Sequence, residues 1–173
     1  MKNQIIFVIT IFFTIFLSCD NSPEFEDRFS IYLLENDTLT TINVEEQILS
    51  DIKLKDNPII QFDDIIGYQV ADHKVYLNEK LSYYLGTDSM RVFSKIFGYP
   101  FVIIANDERI YLGSFISGIS SYAPGTPKIL DDAVNNTEKS FIISGAPIYD
   151  ETTFIDIRND ERILKALGDK IID

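Results

Sequence analysis

The sequence has no tryptophan, one histidine (His73) and one cysteine (Cys19). A lone cysteine excludes a disulfide within the chain. A zinc-type centre needs clustered Cys and His ligands, so no metal site of that kind is expected. Four acidic pairs are present, Asp63-Asp64, Asp107-Glu108, Asp131-Asp132 and Asp150-Glu151, but none has the spacing of a calcium loop. Such pairs read as caps and turn residues. A general base needs a nucleophile or water in reach and a partner to orient it. His73 stands between Asp72 and Lys74 in a stretch that reads as a solvated turn. Ser114, Ser117, Ser120 and Ser121 lack the Gly-x-Ser-x-Gly context of an activated serine, and no glycine-rich phosphate loop occurs. The expectation is therefore no catalytic residue and no cofactor. Basic residues are also few, 15 Lys and Arg against 27 Asp and Glu, for a net charge of −12. Binding to nucleic acid needs Lys and Arg to neutralise phosphates, so it is excluded, as is a polybasic membrane patch.

What the chain does have begins at its N-terminus. Met1 to Gln4 carries one positive side chain, and Ile5 to Leu17 is apolar except for Thr10 and Thr14. A spanning helix needs about 20 apolar residues, whereas the apolar region of a secretory signal takes about 7–15. Phe16-Leu17-Ser18-Cys19 then resembles the lipobox of bacterial lipoproteins. Ser18 fits the small residue before the cysteine; Phe16 and Leu17 depart from the usual Leu and small residue. The resemblance implies cleavage before Cys19 and attachment of lipid to its sulfur. Residues 1–18 are then a signal peptide, and residues 19–28 a lipidated cysteine with a polar tether. Residues 29–173 form one domain. Removing eighteen of 173 residues leaves 155, with 14 basic and 27 acidic side chains and a net charge of −13. A chain of that size can bury a core without disulfides or metals.

The longest apolar run beyond the signal segment is Tyr99 to Ser121. It reads as a β-hairpin. Phe101 to Ala105 is apolar throughout, which predicts a strand buried on both faces. Asn106, Asp107 and Glu108 make the turn, and Arg109 to Phe115 returns. Around it the pattern predicts a first strand at Phe29–Leu34, and a strand or extended connection at Leu39–Val44. Glu45–Leu54 reads as a short helix or an irregular segment. Asp63 caps a single turn over 64–66, and Gly67–Val70 pairs with Lys74–Leu77. Asn78 caps a helix to about Leu85. A second helix over Ser89–Phe97 has Met90, Phe93 and Phe97 at helical spacing and Gly98 as its stop. Ser120 to Lys128 is a Pro/Gly loop, Ile129-Leu130 an edge strand and Ser140–Ser144 another strand. A last helix over Asp160–Leu167 ends at Gly168. The class is α+β: a mixed sheet of hairpins with two or three helices in a single domain.

Asp64-Ile65, Lys74 to Leu77, Gly98 and Val102 to Ile110 follow one another in an order that resembles the head subdomain of the large periplasmic loop of SecD. Asn106-Asp107 stands where that family often has Asp-Gly. Asn106-Asp107-Glu108-Arg109-Ile110-Tyr111-Leu112-Gly113-Ser114-Phe115 also resembles a hairpin shared by a group of small bacterial lipoproteins, a resemblance that implies no activity. Tyr111 and Phe115 share one strand face and Tyr122 follows in the loop. These three are the candidate partner-binding residues, because exposed aromatics anchor partners; the same face packed on a helix is core instead. The chain is thus expected to be held to a membrane by a lipid on Cys19, facing the periplasm or the cell surface. It is expected to bind an envelope or export protein there. The alternatives are an accessory factor of protein export, and an envelope hydrolase that uses two carboxylates.

Overall fold

Every residue from Phe101 to Ala105 is apolar, and both faces of that strand are covered. The structure is a computed structural model that describes residues 29–135, 137–146 and 155–173. The signal segment, Cys19 and the tether lie outside those residues, as does the acidic pair Asp150-Glu151. In chain order the strands are β1 (Phe29–Leu33), β2 (Ile60–Gln61), β3 (Ile65–Gln69), β4 (Lys74–Leu77), β5 (Tyr99–Ala105), β6 (Glu108–Ile116), β7 (Lys128–Leu130), β8 (Ser140–Ile142) and β9 (Ile171–Ile172). One sheet runs β2-β1-β5-β6-β7 and the other β8-β4-β3-β9. Both are mixed, because β7 joins β6 and β9 joins β3 in parallel. A single rung between Lys128 and Ser144 stitches the two sheets. Short helices fill the connections: α1 (Thr41–Val44), α2 (Leu81–Leu85), α3 (Ser89–Ser94), α4 (Asp132–Asn135) and α5 (Glu161–Leu167). The fold is a single α+β domain, as the sequence pattern predicts.

Period-two alternation explains the two cores of this domain. Phe101, Ile103 and Ala105 of β5 face the second sheet and pack with Tyr68, Val75 and Leu77, with Leu81 of α2 and with Ile163 and Leu167 of α5. Val102 points the other way, with Leu112 of β6, into a smaller cluster closed by Leu34, Val44 and Ile52. Full burial of such a side chain contributes about 1.5–3 kcal/mol. The hairpin is therefore central in its sheet and covered on both sides. Its turn is tighter than the pattern suggests. Asn106 and Asp107 alone make it, at φ of 50° and 64°, and Glu108 already pairs with Ala105. Positive φ at both central residues is the type I′ geometry that suits the twist of a hairpin, and Asn and Asp tolerate it.

Several local expectations are corrected. Thr41–Val44 is a helical turn rather than extended chain, because the amide and hydroxyl of Thr40 both donate to Asn43 Oδ1, at 3.0 and 2.7 Å. That local closure overrides the strand preference of Thr-Ile-Asn-Val. The turn expected after Asp63 falls at Phe62–Asp64, where Asp64 Oδ2 accepts from the amide of Gln61 at 2.9 Å. α3 buries Val92 rather than Met90 or Phe97, which are 73% and 45% exposed. β9 has no strand-like length in the sequence and forms only because β3 offers it an edge.

Candidate functional site

The three aromatic candidates part company. Phe115 is fully buried, 4.9 Å from the Phe101 ring, and Tyr111 is 5% exposed with its phenol pushed well above the ordinary value by burial. The expectation of an exposed face at Tyr111 and Phe115 is thus corrected. β6 lies between β5 and β7, and that face is turned toward the second sheet. Gly113 lies between them on this face because the Phe101 ring occupies the space of its missing side chain; a Cβ there would lie 2.2 Å from Phe101 Cζ. Tyr122 differs. It is half-buried in the loop after β6, edge-on to Phe97 with centroids 6.1 Å apart, and its hydroxyl donates to Glu45 Oε2 at 2.7 Å.

Around Tyr122 two loops converge at one end of the domain. The first follows α3 and carries Ile96 and Phe97, 60% and 45% exposed. The second follows β6 and carries Ile119, which is 97% exposed. Ser120 joins them by donating Oγ–H to the carbonyl of Ile96 at 2.6 Å. The second loop is also tied internally. Ser120 N donates to the carbonyl of Ser117 at 2.9 Å, Tyr122 N to Ser120 Oγ at 3.0 Å and Gly118 N to Asp131 Oδ1 at 3.1 Å. At the base, Thr41 N donates to the carbonyl of Gly98 at 3.1 Å and the hydroxyls of Thr41 and Ser114 lie 2.6 Å apart, both buried. Gly98 is required there: its φ is +79°, and a Cβ would stand 2.2 Å from Ser114 Oγ. Ile42 of α1, 47% exposed, adjoins this base. Ser117 through Pro127 contains no charged side chain, in a chain where 24% of residues are charged. The two carboxylates that approach this stretch are both occupied by the loop itself, Glu45 by the Tyr122 hydroxyl and Asp131 by the amide of Gly118. Sequence reasoning found Tyr122 but missed Ile96, Phe97 and Ile119; the long uncharged stretch was the available signal.

Two clusters of ionisable groups lie elsewhere. Asp88, only 9% exposed, is held by Lys55 and Arg91, each at 2.7 Å, and accepts the Tyr99 hydroxyl at 3.3 Å; Arg91 also contacts Asp37. This cluster fastens α3 to residues 37–55. The second corrects the reading of His73 as a solvated turn residue. His73 is 5% exposed, with φ of 51°, and its Nδ1 lies 2.7 Å from the hydroxyl of Tyr68. Its Nε2 lies 3.5 Å from Asp156 Oδ2, and Arg158 grips Asp156 through Nε and Nη2 at 2.8 and 2.5 Å. Burial raises the Tyr68 phenol to about 12, the opposite of what an activated nucleophile needs. Arg158 and Arg162 hold Asp156 and Asp160 below the ordinary carboxylate range, the opposite of a raised general acid. Among the described residues no three of His, Cys, Asp and Glu converge as a metal site, and no helix is long and apolar enough to cross a membrane. Comparison with protein-family models, curated proteins and solved structures finds no match.

Proposed function

We propose that this chain is a lipid-anchored protein of the cell envelope that acts by binding a protein partner through the uncharged end formed by Ile96, Phe97, Ile119 and Tyr122. The observation that carries the reading is Ile119. It stands 97% exposed at the apex of a loop whose backbone is hydrogen-bonded on either side of it, with no charge within that loop. Interface cores are depleted of charge and enriched in aromatic residues. A loop already held in shape loses less conformational entropy on binding. Tyr, Ser and Gly, the residues of this loop, suit adaptable protein recognition.

The direction of the anchor supports the same reading. Phe29, where the described chain begins, pairs with Ala105 at the far end of β5 from Gly98. The seven residues of β5 span about 20 Å, so a tether entering at Phe29 leaves the uncharged end on the opposite side. A bilayer is the weaker alternative, because surface-seeking segments carry Lys and Arg around their apolar residues and this loop has none. The SecD-like order of the hairpins favours an export component as one such partner. The test is crosslinking in intact cells followed by recovery of the full-length protein, beside an Ile119→Ser/Phe97→Ser variant. Recovery of one envelope protein that the variant loses supports the proposal. Equal recovery by both, or capture of lipid alone, overturns it. Cys19→Ala tests the anchor separately: it is expected to abolish fatty-acid labelling and release the protein from membranes.

A further inference from the structure

We infer that Tyr68, His73, Asp156 and Arg158 form an acid-sensitive latch that fastens residues 155–173 to the two-sheet body, independently of the binding end. The latch joins four parts of the chain. Tyr68 comes from β3 and His73 from the turn that follows it; the amide of Ile143, after β8, donates to the carbonyl of His73 at 3.0 Å. Arg158 returns the tie by donating from Nη1 to the carbonyl of Ile143 at 2.8 Å, while its other nitrogens hold Asp156. Gly145 allows this approach, since a Cβ there would lie 3.1 Å from Arg158 Nη2. The backbone of Tyr68 also carries β9, through its pairing with Ile171. One residue thus serves the latch with its side chain and the last strand with its main chain.

A neutral imidazole satisfies both contacts. With Nδ1 unprotonated it accepts the Tyr68 hydroxyl, and Nε2–H faces Asp156. A proton on Nδ1 turns that acceptor into a donor. The Tyr68 hydroxyl then has to turn away, and at 2% exposure it has no water to meet. The charged groups around the ring have opposing effects. Asp156 and Asp72 favour the imidazolium, whereas Arg158 opposes it; Tyr111 of β6 adds a buried neutral phenol to the same surroundings. Burial, first, and then Arg158 hold His73 below its ordinary value of 6.5. A released His73 therefore takes up a proton at a pH where the latched one does not. Closure is unaffected by this residue above the released value, and is lost progressively as pH falls from there toward the lower latched value. Asp156, itself held low, adds a second loss only in the more acid range of carboxylates. α5 keeps Ile163, Ala166 and Leu167 in the core, so release loosens the C-terminal stretch without unfolding the domain.

The test is hydrogen exchange of the full chain, corrected for intrinsic rates, at about pH 7.5 and about pH 5.5. The expected result is a severalfold loss of protection in residues 168–172, which include β9, at the lower pH, with α5, β5 and β6 unchanged. His73→Gln, which cannot titrate, should show equal protection at both pH values. Unchanged protection in the natural protein, or an equal acid response in the variant, overturns the latch. If the variant does not fold, the natural chain still decides. It has one histidine, so its ring signals in an untagged sample are unambiguous. A titration midpoint below 6.5 with the proton on Nε2 is expected, and a midpoint at or above 6.5 overturns the proposal.

Discussion

The two ends of the β5–β6 hairpin are built from opposite materials. At the turn end Asp107, Glu108 and Arg109 are charged, and two of the three are engaged. Glu108 meets Arg162 of α5 at 2.7 Å, and Arg109 Nη1 lies 2.7 Å from the carbonyls of Leu49 and Ile52 and 3.0 Å from that of Ser50. At the other end Ile96, Phe97 and Ile119 carry no charge and are left facing outward. A charged end in water is stable without a partner, and here it closes on the rest of the chain. An apolar end held rigid by its own hydrogen bonds has no such outlet within the described residues. The comparison teaches that the hairpin is an axle: its middle builds the core, its charged end locks the neighbouring elements, and its uncharged end is free to meet another molecule.

The largest effect is expected where the two ends share their middle. Phe101→Ala removes a fully buried ring that fills the space above Gly113 and touches Phe115. A loss of about 3–5 kcal/mol in denaturant unfolding is expected. It should weaken both ends together; a variant of natural stability would show that the hairpin is not the centre of the core. The next effect lies at the base of the uncharged end. Gly98→Ala places a Cβ against Ser114 and Thr41 at a φ of +79°. It should cost about 3 kcal/mol, the upper range for strained positions. It should also disturb partner recovery, because the loop of Ile96 and Phe97 pivots there. A smaller effect is expected at the charged end. Arg109→Met frees the carbonyls of Leu49, Ser50 and Ile52 to water and should cost about 1.5 kcal/mol by urea unfolding. Partner recovery should stay unchanged. A loss of recovery in Arg109→Met would break the division between the ends.

The hairpin and its double burial were legible because continuous apolar sequence between turn residues has few other uses. Gly168 was legible as the stop of α5 and caps it at positive φ, whereas α3 ends earlier than its pattern predicts, at Ser94, and Gly98 closes the loop that follows. The site was less so. Tyr111 and Phe115 looked like a binding face because alternation shows that residues share a side but not which side meets the second sheet. That sheet is assembled from the β3–β4 hairpin together with β8 and β9, which come from far along the chain. His73 looked solvated because its neighbours Asp72 and Lys74 are charged; Asp156 and Arg158, which enclose it, lie more than eighty residues away. Ile119 was passed over because a single isoleucine in a Ser/Gly loop has no period to mark it.

The smallest effect on stability should come from the residue that matters most to the proposed function. Ile119 is 97% exposed and makes no contribution to either core. Ile119→Ser should therefore leave denaturant unfolding within about 0.5 kcal/mol of the natural protein, as surface substitutions do. The loop keeps its shape, since the bonds of Gly118, Ser120 and Tyr122 use none of the Ile119 side chain. Partner recovery by crosslinking should nevertheless fall, because an apolar anchor at the centre of a small contact carries much of its energy. Stability and recovery thus respond in opposite order along the hairpin. Phe101 governs the first and Ile119 the second. If Ile119→Ser destabilised the domain by as much as Arg109→Met, the apex would be a structural element with an unrecognised contact. The uncharged end would then lose its claim to be the working surface.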